Sequence, residues 1–122
     1  MAFGINDAMP LAMFLHAKEP TDIKPVDTEG KRTVILVDSV VNNGDTVVKF
    51  VKHIRTLDPN IRIVVVAGVV QKESMSESGK IMVALKGLGP VSVVALRLSD
   101  NKFTGKGTTD TGNRLFNTTQ LP

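Results

Sequence analysis

The chain has no cysteine, no tryptophan and no tyrosine, and five phenylalanines are its only large aromatic side chains. Without cysteine there is no disulfide framework, no thiolate zinc site and no thiol nucleophile, so the fold must rest on its apolar core, and a reducing cytoplasmic setting is expected. Two histidines without cysteine argue against zinc. The missing tyrosine and tryptophan also leave few platforms on which nucleic-acid bases could stack. No apolar run approaches the roughly 18 residues of a membrane span, because Arg62 and Gln71 bound the longest one. The first residues lack the basic stretch of a secretory leader. Neither a membrane nor a nucleic acid is therefore an expected partner.

What is present is enough for one domain: 122 residues, of which 42% are hydrophobic. Charge is uneven along the chain. Residues 1–30 hold two Lys and five acids, net −3, whereas residues 31–122 hold 13 basic and seven acidic side chains, net +6. That second field suits a phosphorylated small molecule better than a polynucleotide, which calls for a denser basic stripe.

Periodicity divides the second region into alternating elements. Val34 to Val37 is a continuous aliphatic run, too short for a helix, that predicts a buried parallel strand ending at Asp38. Val47, Phe50, Val51, Ile54 and Leu57 recur at helical spacing, with Lys49, Lys52, His53 and Arg55 facing outward. Asp58-Pro59-Asn60 stops that helix, and Ile61 to Val70 predicts a second strand. Ser74 and Glu77 suggest a capping box before a helix continuing over Lys80 to Lys86, and Gly79 would divide a loop from that helix. Val91 to Leu98 predicts a third strand. The alternation argues for an α/β fold, a mainly parallel sheet flanked by helices, which binds ligands at the carboxyl ends of its strands. Ahead of this core, Met1 to Met9 suggests a short helix and Leu11 to Ala17 a further strand, while residues 18–32 suggest an exposed connection. Met9, Met13, Met75 and Met82 are expected to fill the core.

The stretch from Val34 to Thr46 carries the chemistry. A buried strand delivers Asp38, a polar turn of Asn42, Asn43 and Gly44 follows, and Asp45 and Thr46 open a helix. The free amides and helix dipole of such a bend attract an anion. Gly44 would let backbone approach the ligand, Thr46 would add a hydroxyl donor, and Asp38 would accept hydrogen bonds from sugar hydroxyls. On residue types alone, Asp38 and Asn42 could equally satisfy turn backbone, and Gly44 or Asp45 could be an ordinary N-cap. Neither a Walker A nor a G-x-G-x-x-G pattern occurs.

Val34 to Thr46 resembles the ribose-phosphate-binding signature of the type I phosphoribosyltransferases. Phe103 to Phe116 is similar to the C-terminal segment of the uracil phosphoribosyltransferases, and Met1 to Pro10 resembles a helix of that family. The resemblance spans nearly the whole of residues 1–122 but only the C-terminal portion of a complete family member, which implies a phosphoribosyltransferase-like domain truncated at its N-terminus. It implies that Asp38 contacts the ribose and that Asn42, Asn43, Gly44, Asp45 and Thr46 wrap the 5′-phosphate. It further implies that Phe103, Gly107, Thr108, Thr109 and Asp110 line a uracil pocket. The implied reaction transfers phosphoribose from phosphoribosyl pyrophosphate, with Mg2+, to uracil, giving UMP. The chain departs from the family pattern at Asn43 (usually Thr), Asp45 (usually Gly), Lys106 (Pro), Thr109 (Gly) and Asn113 (an acid). These departures motivate an alternative, a non-catalytic phosphate-binding or interaction domain derived from the same fold. An isolated, incomplete chain is expected to be inactive, and its exposed sheet edge to pair with a second copy or pack against the missing N-terminal part.

Overall fold

Runs of β-branched residues set the frame. In the computed structural model, which describes residues 1–101, strands β1 (Thr33–Val41), β2 (Arg62–Gln71) and β3 (Val91–Ser99) form one parallel sheet in the order β1-β2-β3. Helices α1 (Ala2–Ala8) and α2 (Pro25–Thr28) precede the sheet, α3 (Asp45–Leu57) joins β1 to β2, and α4 (Lys80–Leu85) lies between β2 and β3. Both crossovers step one strand in the same direction, and crossovers of one hand then place α3 and α4 on the same face, where they touch.

Register explains which side chains make the core. Val34, Ile63 and Val91 stand opposite one another, as do Leu36, Val65 and Val93, so the helix-bearing face is a continuous apolar layer. Val47, Val51 and Ile54 of α3 and Ile81 and Leu85 of α4 bury into it. Each such side chain contributes roughly 1.5–3 kcal/mol on leaving water. The opposite face stays open at β3, where Val94 and Leu96 are exposed. Among the described residues, no helix is long and apolar enough to cross a membrane.

Several expectations need correction. β1 does not stop at Asp38: it pairs with β2 through Val41, because Val40 and Val41 prolong the β-branched run and Asp38, on a strand with one neighbour among the described residues, keeps its carboxylate exposed. Leu11 to Ala17 forms no strand. The segment contains no β-branched residue, Leu11 is fully exposed, and the stretch flanks β1 without pairing with it. Met9 and Met13 are likewise exposed rather than core-filling. The capping box does not form: Ser74 Oγ donates to the Gln71 carbonyl at 2.7 Å within a 3-10 turn, and α4 begins only after Gly79.

The connection over residues 18–32 is more ordered than its composition suggests. It holds two short turns, each opened by a proline and closed by an aspartate two residues on. Asp22 accepts from the Lys18 and Glu19 amides at 2.8 and 2.9 Å, and Asp27 accepts from the Lys24 amide at 2.7 Å. The Glu19 amide, followed by that of Lys18, holds the Asp22 carboxyl below the usual carboxylate range. Between the turns, Ile23 reaches the core and its carbonyl meets His53 Nε2 at 2.9 Å, so His53 is a tether rather than a solvated side chain. Arg55 is not free in solvent either. Its guanidinium donates to the carbonyls of Leu88, Ile61 and Pro90 and closes the end of the sheet remote from the β1–α3 bend.

Candidate functional site

The first crossover passes from strand to helix in three residues, Asn42, Asn43 and Gly44. That brevity brings the start of α3 directly to the carboxyl end of β1. Gly44 makes it possible: its φ is +83°, a left-handed backbone that costs an L-residue roughly 1–2 kcal/mol, and it serves as the N-cap of α3 without a side chain. Packing gives this glycine a reason of its own, separate from the expected ligand approach. A Cβ on Gly44 would overlap Ile81 Cγ1, so the bare side of the turn receives α4.

The rest of the bend divides its donors and acceptors. Asn43 Oδ1 accepts from the Asp45 amide at 3.1 Å, an Asx turn that uses the side chain locally. Asp45, the first residue of α3, lies 3.5 Å from Lys80 Nζ. Asn42 is half-buried at the end of β1. Behind it, the Thr46 and Val47 amides have no backbone partner among the described residues, as the first turn of any helix dictates. A 13-residue helix adds the positive end of its dipole at the same point.

Asp38 completes the cluster. Alternation with Val34 and Leu36 puts it on the helix-bearing face, and its Oδ1 accepts from the Val40 amide at 3.3 Å while the side chain stays exposed. Asp38 and Thr46 line the same cleft of about 550 Å3, which runs beside β1 with Val47 and Phe50 on one wall and Met13 and Phe14 on another. The structure therefore brings together Asp38, Thr46 and the α3 amides. It turns Asn43, Gly44 and Asp45 toward the support of the bend. Among the described residues, no three His, Cys, Asp or Glu side chains gather as metal ligands. Phe103, Gly107, Thr108, Thr109 and Asp110 lie outside the described residues.

Lys80 and Ile81 are parts of this site that motif reading missed. The signal that finds them is topological: successive crossovers of the same sense set the amino ends of their helices side by side, so residues just after Gly79 must meet those just after Gly44.

This arrangement defines a parallel α/β domain in which the amino end of α3 meets the carboxyl end of β1, an edge strand among the described residues. A family model described as Uracil phosphoribosyltransferase matches residues 1–118, and the chain belongs to the uracil phosphoribosyltransferase family. Comparison with curated proteins and with solved structures gives no match.

Proposed function

We propose that the chain binds phosphoribose at the β1–α3 bend and acts as the part of a uracil phosphoribosyltransferase that transfers this group from phosphoribosyl pyrophosphate to uracil, giving UMP. The observation that carries the reading is the meeting of Asp38, Thr46 and the free α3 amides on one cleft, in a chain whose family membership spans residues 1–118. The Thr46 and Val47 amides and the Thr46 hydroxyl hold the 5′-phosphate, and the exposed Asp38 carboxylate accepts from the ribose hydroxyls. Anchored at both points, the ribose is oriented while positive charge develops at its anomeric carbon, so catalysis is positioning and electrostatics without a side-chain nucleophile. Phe103, Gly107, Thr108, Thr109 and Asp110 take the base in this reading.

Because no three metal-ligating side chains gather among the described residues, Mg2+ would come with the substrate; Asp38 is the carboxylate that would help hold it, and the ion would supply charge to offset the leaving group. β1 has a strand neighbour on one side only among the described residues, which supports coverage of its other edge by a second copy or by further polypeptide. Thr109, standing where the family has glycine, favours a second reading in which the phosphate cradle is kept and the base site lost, a non-catalytic binding domain.

Titration of phosphoribosyl pyrophosphate into the chain, followed by amide NMR, tests the reading. The Thr46 and Val47 signals should move, and Asp38→Asn should weaken the sugar phosphate about tenfold while leaving inorganic phosphate nearly unaffected, because only the ribose contact is removed. Equal losses for both ligands would refute the role of Asp38. UMP formation from uracil separates the catalytic reading from the binding-only one, and the isolated chain is expected to make none.

A further inference from the structure

We infer that Lys80 is a positioning residue for the phosphate bend, holding the Asp45 carboxylate aside and offsetting its charge so that a dianionic sugar phosphate can settle on the adjacent amides. The inference rests on the phosphoribose reading above and concerns affinity at that same site. Asp45 directly precedes Thr46, so an unopposed carboxylate there repels the dianion that the Thr46 and Val47 amides would bind. Lys80 Nζ, 3.5 Å from Asp45 Oδ1, supplies the opposing charge.

Packing keeps Lys80 in place. Its neighbour Ile81 is 1% exposed and fills the space beside Gly44, so the first turn of α4 travels with the bend as one body. Stability does not explain the pair. The two side chains are 67% and 52% exposed, and exposed ion pairs add little to folding. Their effect on a dianion a few ångströms away is larger, since each charge acts on two.

The test titrates ribose 5-phosphate into the full chain and follows the Thr46 and Val47 amides by NMR, with the dispersion of the remaining signals reporting that each variant is folded. Lys80→Gln should weaken binding about fivefold at low salt, and the loss should largely vanish near ~0.5 M salt, where the Debye length is only a few ångströms. Adding Asp45→Asn to that variant should restore affinity to at least that of the unaltered chain. Unchanged affinity in Lys80→Gln overturns the inference. So does a double variant as weak as the single one, which would make Lys80 a direct phosphate ligand. If the unaltered chain binds no ribose 5-phosphate, the phosphoribose reading fails and this inference with it; binding that is indifferent to both charges removes the inference alone.

Discussion

The two crossovers share topology and differ in how they reach their helices. Between β1 and α3 the chain turns in three residues through a left-handed Gly44; between β2 and α4 it takes a 3-10 turn over Lys72–Met75 and a further loop before Gly79. Both helices start at a glycine N-cap with no capping side chain, yet for unlike reasons. Gly44 is required by backbone conformation and by Ile81. Gly79 has an ordinary φ of −66°, but a Cβ on it would strike the carbonyl oxygens of Glu73 and Ser74. The short crossover aims a 13-residue helix over the sheet, while the long one spends its residues on folding back, and its six-residue helix serves to brace the first. Loop length, more than loop composition, sets how directly each helix start follows the end of its strand.

Substitutions at the two bends separate these causes. The largest effect is expected for Gly44→Ala, which adds left-handed strain to overlap with Ile81 and should cost about 3 kcal/mol in urea unfolding. In an Ile81→Ala background the overlap disappears, and the penalty should fall to the ~1–2 kcal/mol of backbone strain alone. Gly79→Ala should cost about 2 kcal/mol and be insensitive to Ile81→Ala, because the obstacle is backbone. If the two glycines respond alike to Ile81→Ala, the distinction drawn between them is wrong. Asn43→Ala should be the mildest, about 1 kcal/mol for a lost turn acceptor, and has no counterpart in the second crossover.

Much of the architecture was legible in the chain because its signals are local. β-Branched runs at Val34, Ile61 and Val91 marked the three strands, and the Val47, Val51 and Ile54 spacing marked the buried stripe of α3. The family resemblance rested on Val34 to Thr46, Phe103 to Phe116 and Met1 to Pro10 and agrees with the match over residues 1–118. Illegible features depend on distant partners. Arg55 looked like a solvated helix residue, yet its acceptors at Leu88 and Pro90 lie 33 and 35 positions away. Leu11 to Ala17 had the hydropathy of a strand but none of the β-branched shape, and hydropathy alone misled. The glycine in the bend was visible as a turn residue, whereas the side chain filling its empty flank belongs to another helix.

Arg55 also sets the two ends of the sheet apart. At the far end a guanidinium is lodged among peptide carbonyls, whereas the carboxyl end of the strands is trimmed with exposed pairs of opposite charge, Asp45 with Lys80 and Lys72 with Asp100. Dissolved ions weaken attraction between full charges across water far more than a donor seated on carbonyl oxygens. One end of the sheet is thus closed by a charge seated on neutral acceptors and the other is bordered by exposed charge pairs, so added salt loosens contacts at the second end first.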